Sequence, residues 1–308
     1  MKTIKIMTIT ALLVVLAAGC GKDNEKQSLL DDGHLHLFTE NMGNNGTKIL
    51  IDPANINGAT WVANEHINLN GTPYVIVGDN DNDYYLDGVS PLTVDMYAVY
   101  PATINEGGNH IDASNDGAAA CAVNIHSLCV DFVGNGGNAQ KVYFPMAAKA
   151  AAGSHSLGFR HLTGGIRLTL KNNGTYTDLD VARLVVSATT ADGKPAIYKD
   201  LYPTEDGWNP RLLPGMPSGE IGIEGDQNVQ FIADMTLYLK EGSYDYKTIA
   251  SNGGEITFCM PMLAKEFKTL TIKGYSLSGT EIFSKTKILE TAIAIERNKM
   301  YNIPVIAL

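Results

Sequence analysis

An all-β chain with two successive β-sandwich domains is what this sequence predicts, on three observations. Glycine supplies 31 of 308 residues, with doublets at 107–108, 136–137, 164–165 and 253–254, a density that interrupts helices and favours short strands joined by turns. Apolar residues recur with period two in short runs, each closed by Gly, Pro, Asn or Asp. The clearest run is Gly165 to Lys171, where Ile166, Leu168 and Leu170 face one way and Arg167, Thr169 and Lys171 the other, before Asn172-Asn173-Gly174 turns the chain.

In chain order, residues 1–19 come first as a secretory signal peptide. Lys2 and Lys5 start it, Ile6 to Ala18 is almost wholly apolar, and Ala17-Ala18-Gly19 supplies small residues at the cleavage site. The apolar run is too short to span a bilayer, which needs about 20 residues. Cys20 follows the cleavage site directly, as in a bacterial lipoprotein, so its thiol is the expected lipidation site. Several acyl chains on one terminus give the stable anchoring that a single chain cannot. Residues 20–32 read as a lipidated tether, polar and charged through Lys22, Asp23, Glu25 and Lys26.

The first sandwich is expected over residues 33–155. Its strand candidates are His34 to Phe38, Lys48 to Ile51, Thr72 to Val77, Val94 to Tyr100 and Lys141 to Phe144. Ala147 to Ala152 is alanine-rich but short and closed by Gly153, and the domain boundary is placed there, near residue 155. The second sandwich is expected over 156–308. It takes Gly165 to Lys171, Ala182 to Ala188, Gln230 to Lys240, Glu255 to Met260, Thr269 to Tyr275, Thr280 to Ile288 and Lys299 to Ile306.

The formal charge is −10, and loss of the two leader lysines makes the mature chain more negative still. That balance excludes nucleic acid as a partner, since phosphates need a basic footprint. It also argues against a body lying flat on anionic lipid. With Cys20 used for lipid, Cys121, Cys129 and Cys259 remain. A Cys121–Cys129 disulfide and three separate small thiols both fit that count.

Catalytic signatures are absent: there is no His-Glu-x-x-His, no Gly-x-Ser-x-Gly and no Walker A loop. No enzyme and no cofactor is expected. His34 and His36 share a strand face, a pattern commoner in plain exposed strands than in metal sites. Asp79-Asn80-Asp81-Asn82-Asp83 alternates hard oxygen ligands as Ca²⁺ prefers. Tyr84 stands where a Ca²⁺ loop needs its glycine, and Ser90 where it needs its glutamate, so an acidic hairpin tip is the better reading. No metal site is assigned.

Four stretches, in order, resemble the fimbrillin superfamily of Bacteroidetes, the type V pilins with their anchor and tip subunits. They are Trp61-Val62-Ala63-Asn64-Glu65-His66-Ile67, Met96-Tyr97-Ala98-Val99-Tyr100-Pro101, Phe159-Arg160-His161 with Ile166-Arg167-Leu168, and Lys299-Met300-Tyr301-Asn302-Ile303. Asn64-Glu65 stands where that family usually has Gly-Asp, and Asn298 where it has glycine. Lys22-Asp23-Asn24-Glu25, just after Cys20, is similar to the surface-export signal of Bacteroidetes lipoproteins. The resemblance implies two tandem transthyretin-like β-sandwich domains on a lipid-anchored outer-membrane protein, exposed on the surface or carried in a fimbria. It also implies that removal of a leading strand opens a groove that a neighbouring subunit's strand fills. The expected partners are the outer membrane, other pilin subunits by donor-strand exchange, and surface ligands of host or bacterial cells.

On the residues alone, Trp61, Tyr97, Phe159 and Tyr301 read as core aromatics. The family's cut usually follows an arginine. The mature chain has none before Arg160, so Lys48, ahead of Ile49-Leu50-Ile51, is the expected processing site. The sequence closes at Leu308 just after its last strand, which favours a tip, anchor or accessory subunit over a stalk subunit. The competing expectation is a glycan-binding outer-membrane lipoprotein of a polysaccharide-uptake system. Of the two tryptophans, Trp61 is accounted for by the core, which leaves Trp208 as the candidate glycan platform.

Overall fold

The computed structural model describes residues 32–39, 41–42, 45–46, 50–51, 61, 63–78, 84–115, 121–133, 140–198, 200–201, 231–296 and 298–308. Among these the fold is all-β, with no helix. Ala147 to Ala152 and Leu289 to Arg297, the two stretches that most resemble helix in composition, fall largely within the strands Met146–Ala150 and Glu281–Ile295.

Seven strands close into a barrel. Around it run His36–Thr39, Ser156–His161, Met146–Ala150, Met96–Tyr100, His66–Leu69, Thr72–Gly78 and Tyr84–Leu86, which returns to His36. Inward positions are apolar: Leu37, Ile67, Leu69, Ile76, Leu86, Met96, Ala98, Leu157 and Phe159 are all buried. Inside, Trp61 meets Tyr100 edge-on at 5.1 Å and Phe159 at 5.4 Å, the favoured geometry for aromatic quadrupoles. Trp61 and Phe159 are thus core residues, whereas Tyr97 and Tyr301 pack against the core half-exposed.

A twelve-stranded sheet forms the larger body. Its main path is Phe231–Ile232, Ile197–Tyr198, Ala264–Tyr275, Arg183–Thr189, Asp234–Glu241, Cys121–Phe132, Asn109–Asn115 and Ile104–Glu106. A third sheet places Gly164–Lys171 between Glu255–Met262 and the parallel strands Met300–Asn302 and Ile306–Ala307. In Gly164–Lys171 the alternation read from sequence holds: Ile166, Leu168 and Leu170 are fully buried, while Arg167, Thr169 and Lys171 are half-exposed.

Hydrogen bonding crosses residue 155 at several places. Residues 151–155 form the turn between Met146–Ala150 and Ser156–His161, which pair antiparallel. Gly153, at φ +77°, supplies the left-handed residue of that turn. The strand Ser156–His161, which the sequence assigns to the second half, is therefore part of the first barrel. Further on, Cys121–Phe132 pairs in parallel with Asp234–Glu241, from Ser127↔Thr236 to Phe132↔Glu241. A buried side chain adds to the join. The Gln140 amide donates to the Thr257 carbonyl at 2.8 Å and accepts from the Cys259 backbone N–H at 2.9 Å.

Two local points follow from the strands. Gly164-Gly165 begins the strand Gly164–Lys171. A Cβ on Gly164 would overlap the carbonyl oxygens of Glu296 and Lys299, so the doublet lets the final segment lie close. A Cys121–Cys129 bridge is ruled out by the strand that holds both. Eight residues at about 3.3 Å each separate them far beyond the roughly 7 Å limit for a disulfide. Cys129 is a buried free thiol, and burial pushes its pKa up to about 11.

Candidate functional site: the slot of the leading strand

The strand His36–Thr39 lies in the region where the sequence predicts a leading strand, and its surroundings form the candidate site. It runs parallel to Ser156–His161, with His36 opposite Ser156 and Thr39 opposite Phe159. On its other side, among the described residues, it pairs with Tyr84–Leu86 at His36↔Tyr85. Among the described residues, flanking backbone bonds run from Leu35 N–H to Val89 O at 3.2 Å, from His36 N–H to His155 O at 2.9 Å, and from Leu86 N–H to Leu35 O at 3.1 Å. Its side chains are deep. Leu35 and His36 are fully buried and Leu37 is nearly so. Consecutive buried residues on a strand mean that both of its faces are covered.

The buried histidine has a defined partner. His36 Nε2 lies 3.0 Å from Asp32 Oδ1, and the same carboxylate oxygen accepts the His34 backbone N–H at 2.9 Å. The hydrogen bond from His36, and then that from His34, hold the Asp32 carboxyl below its ordinary value. The His34 ring stacks on Tyr85 at 4.4 Å. His34 and His36 thus serve to seat the strand, one against an aromatic ring and the other against a carboxylate.

Beside the barrel lies a polar cleft of about 520 Å³, lined in part by His66, Glu106, Lys141 and Tyr143 around Glu65. Tyr143 donates its hydroxyl proton to Glu65 Oε2 at 2.7 Å, and Lys141 pairs with the other oxygen. Burial and the Glu65 charge push the Tyr143 hydroxyl well above its ordinary pKa, which keeps it a donor. Both oxygens of this buried carboxylate are engaged, so it is a structural joint between residues 65 and 141–143.

Cys20, Lys48, Trp208 and Asp79 to Asp83 lie outside the described residues. The structure brings together one group that the sequence does not reveal: His110, Asp112 and His126, drawn from two neighbouring strands. A His-x-Asp spacing at 110–112 was its only sequence signal, and its third member lies 14 residues further on.

No family model matches the chain, and no curated protein matches it. Among solved structures it is similar to a "putative cell adhesion protein" from Bacteroides ovatus ATCC 8483, at 10% identity over 88% of this chain and 91% of that one, with a TM-score of 0.42. It is also similar to a "putative cell adhesion protein" from Bacteroides fragilis NCTC 9343, at 9% identity over 89% of this chain and 92% of that one, with a TM-score of 0.37.

Proposed function

We propose that this chain is a fimbrillin-like surface lipoprotein, lipidated on Cys20 in the outer membrane, that serves as a tip, anchor or accessory pilus subunit in adhesion. In this reading its sheets correspond to two transthyretin-like units. The observation that supports it is the seating of His36–Thr39, a short strand whose His36 and Leu37 are buried and which lies between Ser156–His161 and Tyr84–Leu86 in the closed barrel. Cleavage after Lys48 frees that strand. Its loss opens the barrel between Ser156–His161 and Tyr84–Leu86 and leaves an apolar slot and two unpaired edges. Another subunit's strand with side chains that fit the same slot satisfies both, which is strand addition. The remaining partners are surface ligands of host or bacterial cells.

The test is to shear filaments from cells and measure the intact mass of the protein in the filament and membrane fractions. A filament-borne form lacking residues through about Lys48 supports strand exchange. A single lipidated form starting at Cys20 and confined to the membrane rules out polymerisation through this slot.

A further inference from the structure

The antiparallel pair Asn109–Asn115 and Cys121–Phe132 contains a β-bulge. Ile111 faces Ile125, Asp112 faces Asn124 and Ala113 faces Val123, but His110 faces Ser127. His126 is therefore the extra residue, and it shares the place opposite His110. Bulges re-aim side chains, and this one sets the His126 ring against that of His110, stacked at 4.3 Å and 25°. Asp112, two residues from His110 and on the same face, completes the group. His126 Nε2 is 3.0 Å from Asp112 Oδ2, and His110 Nε2 is 3.7 Å from Asp112 Oδ1.

The frame that holds these groups is fixed. Ile111 and Val123 are fully buried beneath them and Ile125 nearly so, which anchors the register of both strands. Ser127 donates its hydroxyl to Gly108 O at 2.9 Å, and the Cys129 N–H bonds to Asn109 Oδ1 at 2.8 Å, pinning the two strands on the side of the bulge away from Asp112. The three functional side chains stay partly open to solvent: His110 is 42% exposed, Asp112 55% and His126 39%.

We propose that His110, Asp112 and His126 form a binding site for a divalent transition metal of the Zn²⁺ class on the outer face of the long sheet. One donor atom from each residue lies within 4.8 Å of the others. Tetrahedral bonds of about 2.0–2.1 Å put donor atoms roughly 3.3 Å apart; the two imidazoles stand 3.0 and 3.7 Å from the Asp112 carboxylate, each from a different oxygen. Small rotations of three surface side chains close the difference. Two imidazoles and one carboxylate select borderline metals, whereas Ca²⁺ and Mg²⁺ require mostly oxygen. Three protein ligands leave the fourth position to water or to a donor from another molecule. The chain's net negative charge favours cations over anions as its ligands.

Tag-free mature-length protein, stripped with chelator, is titrated calorimetrically with Zn²⁺ and optically with Co²⁺, whose d–d bands report tetrahedral nitrogen and oxygen donors. One equivalent is expected to bind. His110→Ala, Asp112→Asn and His126→Ala each weaken it at least about tenfold, the loss that even an outer-shell partner causes. His66→Ala, at an exposed histidine elsewhere, leaves it unchanged. Urea midpoints accompany every variant. If the bulge position His126 alone perturbs folding, Asp112→Asn carries the comparison. No binding by the parent protein overturns the proposal, as does binding that all three variants retain.

Discussion

The leading strand His36–Thr39 and the outer strand Glu281–Ile295 hold to this protein in opposite ways. The first has four residues, the second fifteen. Glu281–Ile295 pairs along nearly all its length with Ala264–Tyr275, yet only Phe283, Leu289 and Ile295 are buried, and Ile288 is 68% exposed. Among the described strands it has one neighbour, and Lys285 and Lys287 stand on it as charges that discourage further pairing. The leading strand instead has buried His36 and Leu37, preceded directly by buried Leu35. The long strand is retained mainly by its backbone ladder, whereas the short one adds buried side chains to its four-pair ladder with Ser156–His161. A strand retained by side chains can be replaced by any segment that presents the same side chains, and that property is what exchange requires.

The comparison breaks if the two strands respond alike to truncation. Leu35→Ala and Leu37→Ala should each cost about 2–5 kcal/mol in urea unfolding, the usual loss for a buried leucine. Ile288→Ala should stay within about 0.5 kcal/mol, as surface changes do. Equal losses would remove the distinction.

Next in size is the joint that supports the barrel from the other side. Glu65→Ala leaves the buried Tyr143 hydroxyl without its acceptor and should cost about 1.5–3 kcal/mol, with Glu65→Gln recovering part of it. Full stability in Glu65→Ala would show that water replaces the carboxylate. Gly164→Ala tests close approach at the final segment. Its methyl group meets two backbone carbonyls and should cost about 1–3 kcal/mol by the same assay.

The smallest effect is a pH dependence of the leading strand. The Asp32 carboxyl is held below its ordinary 3.8 mainly by the hydrogen bond from His36. Because the folded value is depressed, the contribution is complete above 3.8 and is lost as pH falls through the lowered value. Amide exchange at residues 35–37 should therefore quicken in strong acid, and Asp32→Asn should flatten that dependence. A slope unchanged in Asp32→Asn would assign it to other groups.

Much of the fold was legible because period-two alternation survives where a strand has one buried face, as in Gly164–Lys171. Cys121–Phe132 was illegible for the same reason inverted. Its bulge shifts the apolar phase from Val123 and Ile125 to Leu128, Val130 and Phe132, so no single alternation runs through it. That shift also hid His126, whose neighbours His110 and Asp112 lie on another strand. The alternation places the start of the leading strand at His34, whereas the strand begins at His36, because alternation continues into the segment seated by Asp32 and Tyr85. Gln140, which bonds to the backbone of residues more than a hundred positions away, leaves no local signal at all.

The most direct test of strand replacement uses the mature chain with a specific protease site substituted at residues 43–48. After cleavage, a labelled peptide with the sequence of residues 33–41 is added, and its incorporation is followed by native mass and light scattering. The account predicts that labelled peptide displaces the cut leading segment one for one, and that cleaved protein without peptide associates through its open slot. Cleaved protein that stays monomeric and takes up no peptide would contradict it.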